Sequence, residues 1–233
     1  MKIGLIHSTR LVMPWVEAAA APLQSRATFL HALDEALIVE LAKDQGVTEG
    51  ARRRIAWLAQ SLIDAGADRL VLTCSSLSPA VDLIAPELSV PLVKIDAAMI
   101  RAAVGARQPF VILATNPSTR EPMRIIVAHE ATLISMPGSA LGSAHESTPY
   151  GSPGAAPDWR YELLGDAFAA LNRGDTQAHD AAVIDACERL AREGTSILFA
   201  QISMARVLPR LSATARARVT TSLDTFAQTV GLA

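Results

Sequence analysis

Asp68-Arg69-Leu70-Val71-Leu72-Thr73-Cys74-Ser75-Ser76 is a short apolar run that stops at a cluster of small polar residues. The same shape returns in Thr195-Ser196-Ile197-Leu198-Phe199-Ala200-Gln201-Ile202-Ser203, with Gln201 lying 127 residues after Cys74. That spacing also sets Leu92 against Val219, and one residue more sets Asp96-Ala97-Ala98 against Asp224-Thr225-Phe226. A repeat of about half the chain implies two similar units, and matching strand ends in two such units can face each other across one cleft. The cleft then holds one thiol, Cys74, and one amide, Gln201, at corresponding places.

Around these runs, strand-like and helix-like segments alternate. Ile3–Ile6 reads as a first strand ending at His7-Ser8-Thr9-Arg10, and Phe110–Ala114 restarts the cycle and ends at Thr115-Asn116-Pro117-Ser118-Thr119. Leu92–Ile95, Thr132–Ser135 and Ile197–Ala200 read as further strands. Thr28–Gln45, Thr48 to about Gly66, Pro79–Leu88 and Asp96–Val104 read as helices, the first closed by Gly46. Short apolar runs separated by helical patterns are the signature of a parallel, doubly wound sheet. The predicted fold is therefore α/β, with two doubly wound parallel-sheet domains: 1–97 plus 212–233, and 98–211. Pro137–Asp158 breaks the rhythm with Gly, Ser and Pro, and reads as a long surface connection or lid carrying His145 and Tyr150.

Composition narrows the class. Hydrophobic residues make up 50% of the 233 and charged residues only 19%, which suits strands buried on both faces. A net charge of −2 without a basic stripe gives no footprint for nucleic acid, and Arg52-Arg53-Arg54 reads as a solvated helix face. No apolar stretch is long enough to span a membrane, and Met1-Lys2 runs straight into a strand without a signal peptide, so a cytoplasmic protein is expected. Two cysteines in a chain of this size do not make a disulfide scaffold.

In a parallel open sheet, ligands sit beyond the carboxyl ends of the strands. Four such ends here carry hydroxyls and amides: Ser8-Thr9, Thr73 to Ser76, Thr115 to Thr119, and Gln201 with Ser203. With exposed backbone N–H groups nearby, these suit a bound carboxylate, although helix caps demand the same residue types. Cys187, amid Ile184-Asp185-Ala186, reads as a buried small hydrophobe. Cys74 sits at a strand-to-helix turn among hydroxyls, a setting expected to favour the thiolate and to make the sulfur a base, acid or nucleophile.

At these residues the chain resembles the aspartate/glutamate/hydantoin racemase superfamily. The likeness rests on the opening strand with its polar pair, on Thr73-Cys74-Ser75-Ser76, on Ala114-Thr115 ahead of Ser118-Thr119, and on Ala200-Gln201-Ile202-Ser203-Met204-Ala205, which is similar to the family's second cysteine motif. The resemblance implies two flavodoxin-like domains, a homodimer, and chemistry without cofactor or metal. One cysteine removes the proton alpha to a carboxylate and another returns a proton on the opposite face. Carried over, Cys74 is the first thiol, and Ser8, Ser75, Ser76, Thr115 and Ser118 hold a small carboxylate substrate, with Gln201 and Ser203 beside them. Gln201 stands where the second thiol belongs and cannot exchange a proton at neutral pH. An isomerase or racemase-like enzyme, a single-thiol lyase such as a malonate decarboxylase, and a carboxylate-binding protein without turnover all remain open.

Overall fold

The structure, a computed structural model, describes residues 1–44, 46–135 and 157–233, without the side chains of 42–44. The elements follow in the order β1 (Lys2–His7), α1 (Met13–Ala20), β2 (Thr28–Leu33), α2 (Ala36–Asp44), α3 (Glu49–Asp64), β3 (Arg69–Leu72), α4 (Pro79–Ile84), β4 (Leu92–Lys94) and α5 (Ala97–Gly105). Then come β5 (Phe110–Ala114), α6 (Arg120–Ser135), β6 (Trp159–Leu163), α7 (Gly165–Asn172), α8 (Thr176–Arg192), β7 (Ser196–Phe199), α9 (Ala213–Arg216), β8 (Val219–Thr220) and α10 (Phe226–Thr229).

Among the described residues, eight strands make two parallel sheets of the same topology, β2-β1-β3-β4 and β6-β5-β7-β8. The register reproduces the sequence repeat: Leu70 pairs with Leu92 in the first sheet, and Ile197 with Val219 in the second, each 127 residues later. Gly4 beside Leu70 likewise corresponds to Val111 beside Ile197. The central strands are apolar along their length because both faces are covered. Ile6, Leu70 and Leu72 meet Ile55, Leu58 and Leu62 of α3, while Ile3, Leu5 and Val71 meet Val16 of α1 and Phe226 and Val230. In the second sheet, Val111, Leu113, Ile197 and Phe199 pack on Val183, Cys187 and Leu190 of α8, and Phe110, Ile112 and Leu198 pack on α5 and α6.

The two layers therefore exchange helices. Helix α5 follows β4 of the first sheet but covers the second, and α10 follows β8 of the second sheet but covers the first. The part of the C-terminal segment that returns to the first sheet begins near α10 rather than at residue 212, because Val219 and Thr220 pair with β7.

Three local readings are corrected. Thr28–Gln45, read as one helix, opens with β2, whose residues pair in register with β1 from Lys2↔Thr28 to His7↔Leu33. Only after Asp34, which accepts a bond from Ala36 N at 3.0 Å, does helix α2 begin. An available sheet edge outweighs the helical periodicity of the segment, and Gln45 lies outside the described residues. Thr132–Ser135, read as a strand, is the last turn of α6. Thr132 and Ser135 donate back to the carbonyls of Ala128 and Ala131 at 2.9 and 2.8 Å, so their hydroxyls are compatible with the helix. Strand β6 was not expected, because it is an edge strand, only partly buried, and lacks an apolar run. His145, Tyr150 and nearly all of the 137–158 connection fall outside the described residues. Helix α3 matches its reading, with Thr48 Oγ1 capping Ala51 N at 3.0 Å and Gly66 in the left-handed region at φ 86°. Among the described residues no helix is long and apolar enough to cross a membrane.

Candidate active site

In each sheet the strand order reverses between the two central strands, and the polar clusters stand at that switch point. Each central strand runs out into a tight 3-10 turn: residues 10–12 after β1, 75–77 after β3, 117–119 after β5 and 202–210 after β7. The turn after β3 lies against the turn after β5, and the turn after β1 against that after β7. The two halves are joined there by Ser76 Oγ and Ser118 Oγ at 2.7 Å. Asn116 holds the turn after β5, its Oδ1 accepting from Ser118 N at 3.0 Å and Ser118 Oγ at 2.8 Å.

The repeat is preserved down to single contacts. In the second half, Gln201 Oε1 accepts from Thr115 N at 2.9 Å, Thr115 Oγ1 at 3.2 Å and Asn116 N at 3.0 Å. In the first half the corresponding pair is Cys74 and Ser8, with the Ser8 hydroxyl pulling the thiol pKa down. The amide oxygen of Gln201 thus occupies a nest of two backbone N–H groups and a hydroxyl, the donor set that a carboxylate oxygen would take. Its Nε2 end makes no hydrogen bond among the described residues. Gln201 therefore fills the second half of the site with its own carbonyl, while the first half presents a thiol.

Cys74 is half-buried, with extended backbone at φ −113° and ψ 108°. Burial pushes its thiol up from the ordinary value, more strongly than the Ser8 hydroxyl and the N–H groups of Leu77 and Ser76 pull it down, and Asp96 adds to the rise. The expectation of a thiolate favoured at rest is corrected: desolvation outweighs the turn's donors. A thiol so placed is protonated at neutral pH and is a stronger base once ionised. Cys187 is inert by comparison, fully buried in the α8 layer and pushed up to about 12.

The remaining predicted residues divide by position. Ser8 and Thr115 are buried beside Cys74 and Gln201 respectively, Ser75 turns toward Asp96, and Ser76 and Ser118 form the link between halves. Ser203 is half-buried on the turn after β7, and its hydroxyl makes no hydrogen bond among the described residues. Sequence reading missed three contributors. Asp96, in the sequence a mark of the repeat, lies two residues past the Leu72↔Lys94 pair at the start of α5, and its charge acts on Cys74. It is fully buried and pushed up to about 7 by desolvation. Asn116 shapes the second turn. His7 at the end of β1 was quoted as part of a polar cluster, but it is fully buried and bonded at both nitrogens.

Thr73 Oγ1 donates to Ile6 O at 3.0 Å, so it accepts from His7 Nδ1 at 2.9 Å. That assignment leaves His7 Nε2 as the acceptor from His31 Nδ1 at 3.0 Å. Burial, and then His31, lower the His7 pKa to about 4, so the ring is neutral at pH 7 and acts as a brace between β1, β2 and β3. Among the described residues no group of three or more His, Cys, Asp or Glu side chains is placed to hold a metal.

The same architecture recurs in solved structures. Allantoin racemase from Klebsiella pneumoniae superposes with a TM-score of 0.66 at 16% identity, over 99% of this chain and 86% of that one. Picrophilus torridus aspartate racemase gives 0.65 at 11% identity, over 99% and 94%. A glycine-to-cysteine variant of arylmalonate decarboxylase in its sulfate-associated form gives 0.57 at 17% identity, over 100% and 93%. At these identities the likeness shows a shared fold. No curated protein matches the sequence. The family model described as Asp/Glu/Hydantoin racemase matches residues 3–143, which include both central strands of the first sheet, Cys74 and the turn after β5. With more than half of the chain matched and the fold shared along its whole length, this protein belongs to the Asp/Glu/hydantoin racemase family.

Proposed function

We propose that this protein is a racemase-family enzyme that moves a proton at the carbon alpha to the carboxylate of a small acid, with Cys74 acting from one face and without a cofactor. The observation that carries this reading is the asymmetry of a symmetric site: a thiol paired with Ser8 at one strand end, an amide paired with Thr115 at the other. The substrate carboxylate is held by hydroxyls and backbone N–H groups of the turns after β1, β3 and β5, which also stabilise the charge of an enolate-like intermediate. Ionised Cys74 takes the alpha proton, and protonated Cys74 returns one to the same face. Gln201 can neither remove nor supply a proton, so exchange without inversion is the expected signature.

A second reading is favoured by one observation. The thiol is protonated at rest, which is the state required to quench the carbanion left by decarboxylation of a malonate-like acid. Incubation in heavy water separates the readings. Deuterium entering with inversion supports an isomerase, deuterium in a recovered, uninverted acid supports one-sided proton transfer by Cys74, and carbon dioxide release with one deuterium in the product supports the lyase. Retention of either activity in Cys74→Ala would overturn the role of the thiol. No exchange and no release with acids that bind would leave a binding protein.

A further inference from the structure

Asp96 is a fully buried acid whose two carboxylate oxygens complete no well-aligned hydrogen bond. The groups closest to offering one are the hydroxyls of Ser75, from the turn after β3, and Ser222, from the loop between β8 and α10. A buried carboxylate without firm partners is costly and needs a reason. The reason lies on the neighbouring strand. Strands β3 and β4 pair from Leu70↔Leu92 to Leu72↔Lys94, Ile95 N still donates to Leu72 O at 3.2 Å, and Asp96 follows at the turn that opens α5, facing Ser75, the residue after Cys74. Carboxyl and thiol therefore stand at the same end of the β3–β4 pair, and the Asp96 charge acts on the Cys74 thiol.

Charged groups on the surrounding elements are engaged elsewhere. Lys94 pairs with Asp82 at 2.6 Å, Asp224 with Arg216 at 3.0 Å and with Thr221, Arg101 of α5 with Glu130 at 2.7 Å, and His7 with Thr73 and His31. Among the described residues, Asp96 is the one charge that acts on the Cys74 thiol.

We propose that Asp96 is the positioning residue of Cys74, a buried proton store that lets a single thiol work without a second one. This rests on the reading of Cys74 as the acid and base of the site. When both groups are protonated, the S–H bond breaks as the C–H bond forms on the substrate carbon. The negative charge then left on sulfur is shared, because the Asp96 proton can move to it and leave the carboxylate held by Ser75 and Ser222. Water restores the missing proton. In the reverse sense, the thiolate needed for abstraction forms when Asp96 carries the proton. Two adjacent buried acids cannot both ionise cheaply, so the pair titrates as a unit.

The test reads the thiol directly and needs no substrate, so its failure is distinct from failure of the proposed reaction. Rates of iodoacetamide labelling of Cys74 are measured between pH 6 and 10 in wild type, Asp96→Asn and Ser222→Ala, with Cys187 as the unreactive control and circular dichroism reporting the fold. In Asp96→Asn the labelling profile is expected to move to lower pH by about one unit, equivalent to roughly tenfold faster labelling at pH 8. An unchanged profile, or one moved to higher pH, in folded Asp96→Asn overturns the proposal. If Asp96→Asn does not fold, Ser222→Ala decides: loss of a donor keeps the carboxyl protonated to higher pH, so the thiol profile moves the same way by less. No movement there overturns the coupling.

Discussion

Replacing Gln201 by Cys tests the symmetry of the site and its missing thiol together. The side chain loses its carbonyl, and with it the bonds from Thr115 N, Thr115 Oγ1 and Asn116 N at 2.9, 3.2 and 3.0 Å. Thr115 is fully buried, so its N–H finds little water in place of the lost acceptor. At about 1 kcal/mol net for each bond, the substitution is expected to cost about 3 kcal/mol. For a chain of this size that is a fall in Tm of roughly 6–12 °C. A small dicarboxylate such as malonate should restore part of the loss, because its oxygen takes up the donors that the amide gave up. The same substitution puts a sulfur where the family has its second acid/base group. A positioned group of this kind contributes roughly 10²–10⁴-fold, enough to show inversion of a bound acid above background. Thermal unfolding with and without malonate, and chiral chromatography of aspartate, glutamate and simple 2-substituted acids, are the assays. Inversion should appear in Gln201→Cys and vanish in the Cys74→Ala/Gln201→Cys double variant. An unchanged Tm would refute the claim that the Gln201 oxygen satisfies the nest. Inversion that survives without Cys74 would refute the two-sided geometry.

His7 predicts an acid limb in stability. Its folded pKa of about 4 lies below the unfolded value of about 6.5, so its contribution is full above pH 6.5 and is lost as pH falls toward 4. Up to about 3 kcal/mol is at stake over that window, and urea unfolding of His7→Gln should lack that part of the slope seen in wild type. Gly4→Ala should destabilise the first sheet by about 1–3 kcal/mol through overpacking. The added Cβ would meet Leu70 Cδ2 at 2.6 Å and Leu62 Cδ1 at 2.9 Å, both in the packed core. The midpoint of urea unfolding should fall while labelling of Cys74 at fixed pH stays the same. A Gly4→Ala protein as stable as wild type would mean that this layer has slack.

The sequence carried the sheets because each central strand is written locally. Leu70–Leu72, Phe110–Ala114 and Ile197–Phe199 are apolar runs that stop at polar turns, and their repeat by itself sets Cys74 opposite Gln201. What lies at a sheet edge was less legible. Strand β2 carries a helical pattern and β6 carries little pattern, and each is a strand because a neighbouring backbone offers it hydrogen bonds. The second face of Thr132–Ser135 was equally a matter of context, settled by packing α6 on the sheet.

The same division runs through the site. Residue type fixed that Cys74 is the group able to exchange a proton at the switch point and that Gln201 is not, because side-chain chemistry does not depend on neighbours. Protonation does depend on them. The thiol is raised rather than lowered because tertiary packing removes water from it and brings the charge of Asp96, 22 residues away in the chain, to bear on it. The use of Gln201 as an internal acceptor is likewise invisible in sequence, since its donors lie 86 and 85 residues earlier. Local chemistry is written in the residues themselves, whereas desolvation and register pairing exist only once distant strand ends have been brought to one place.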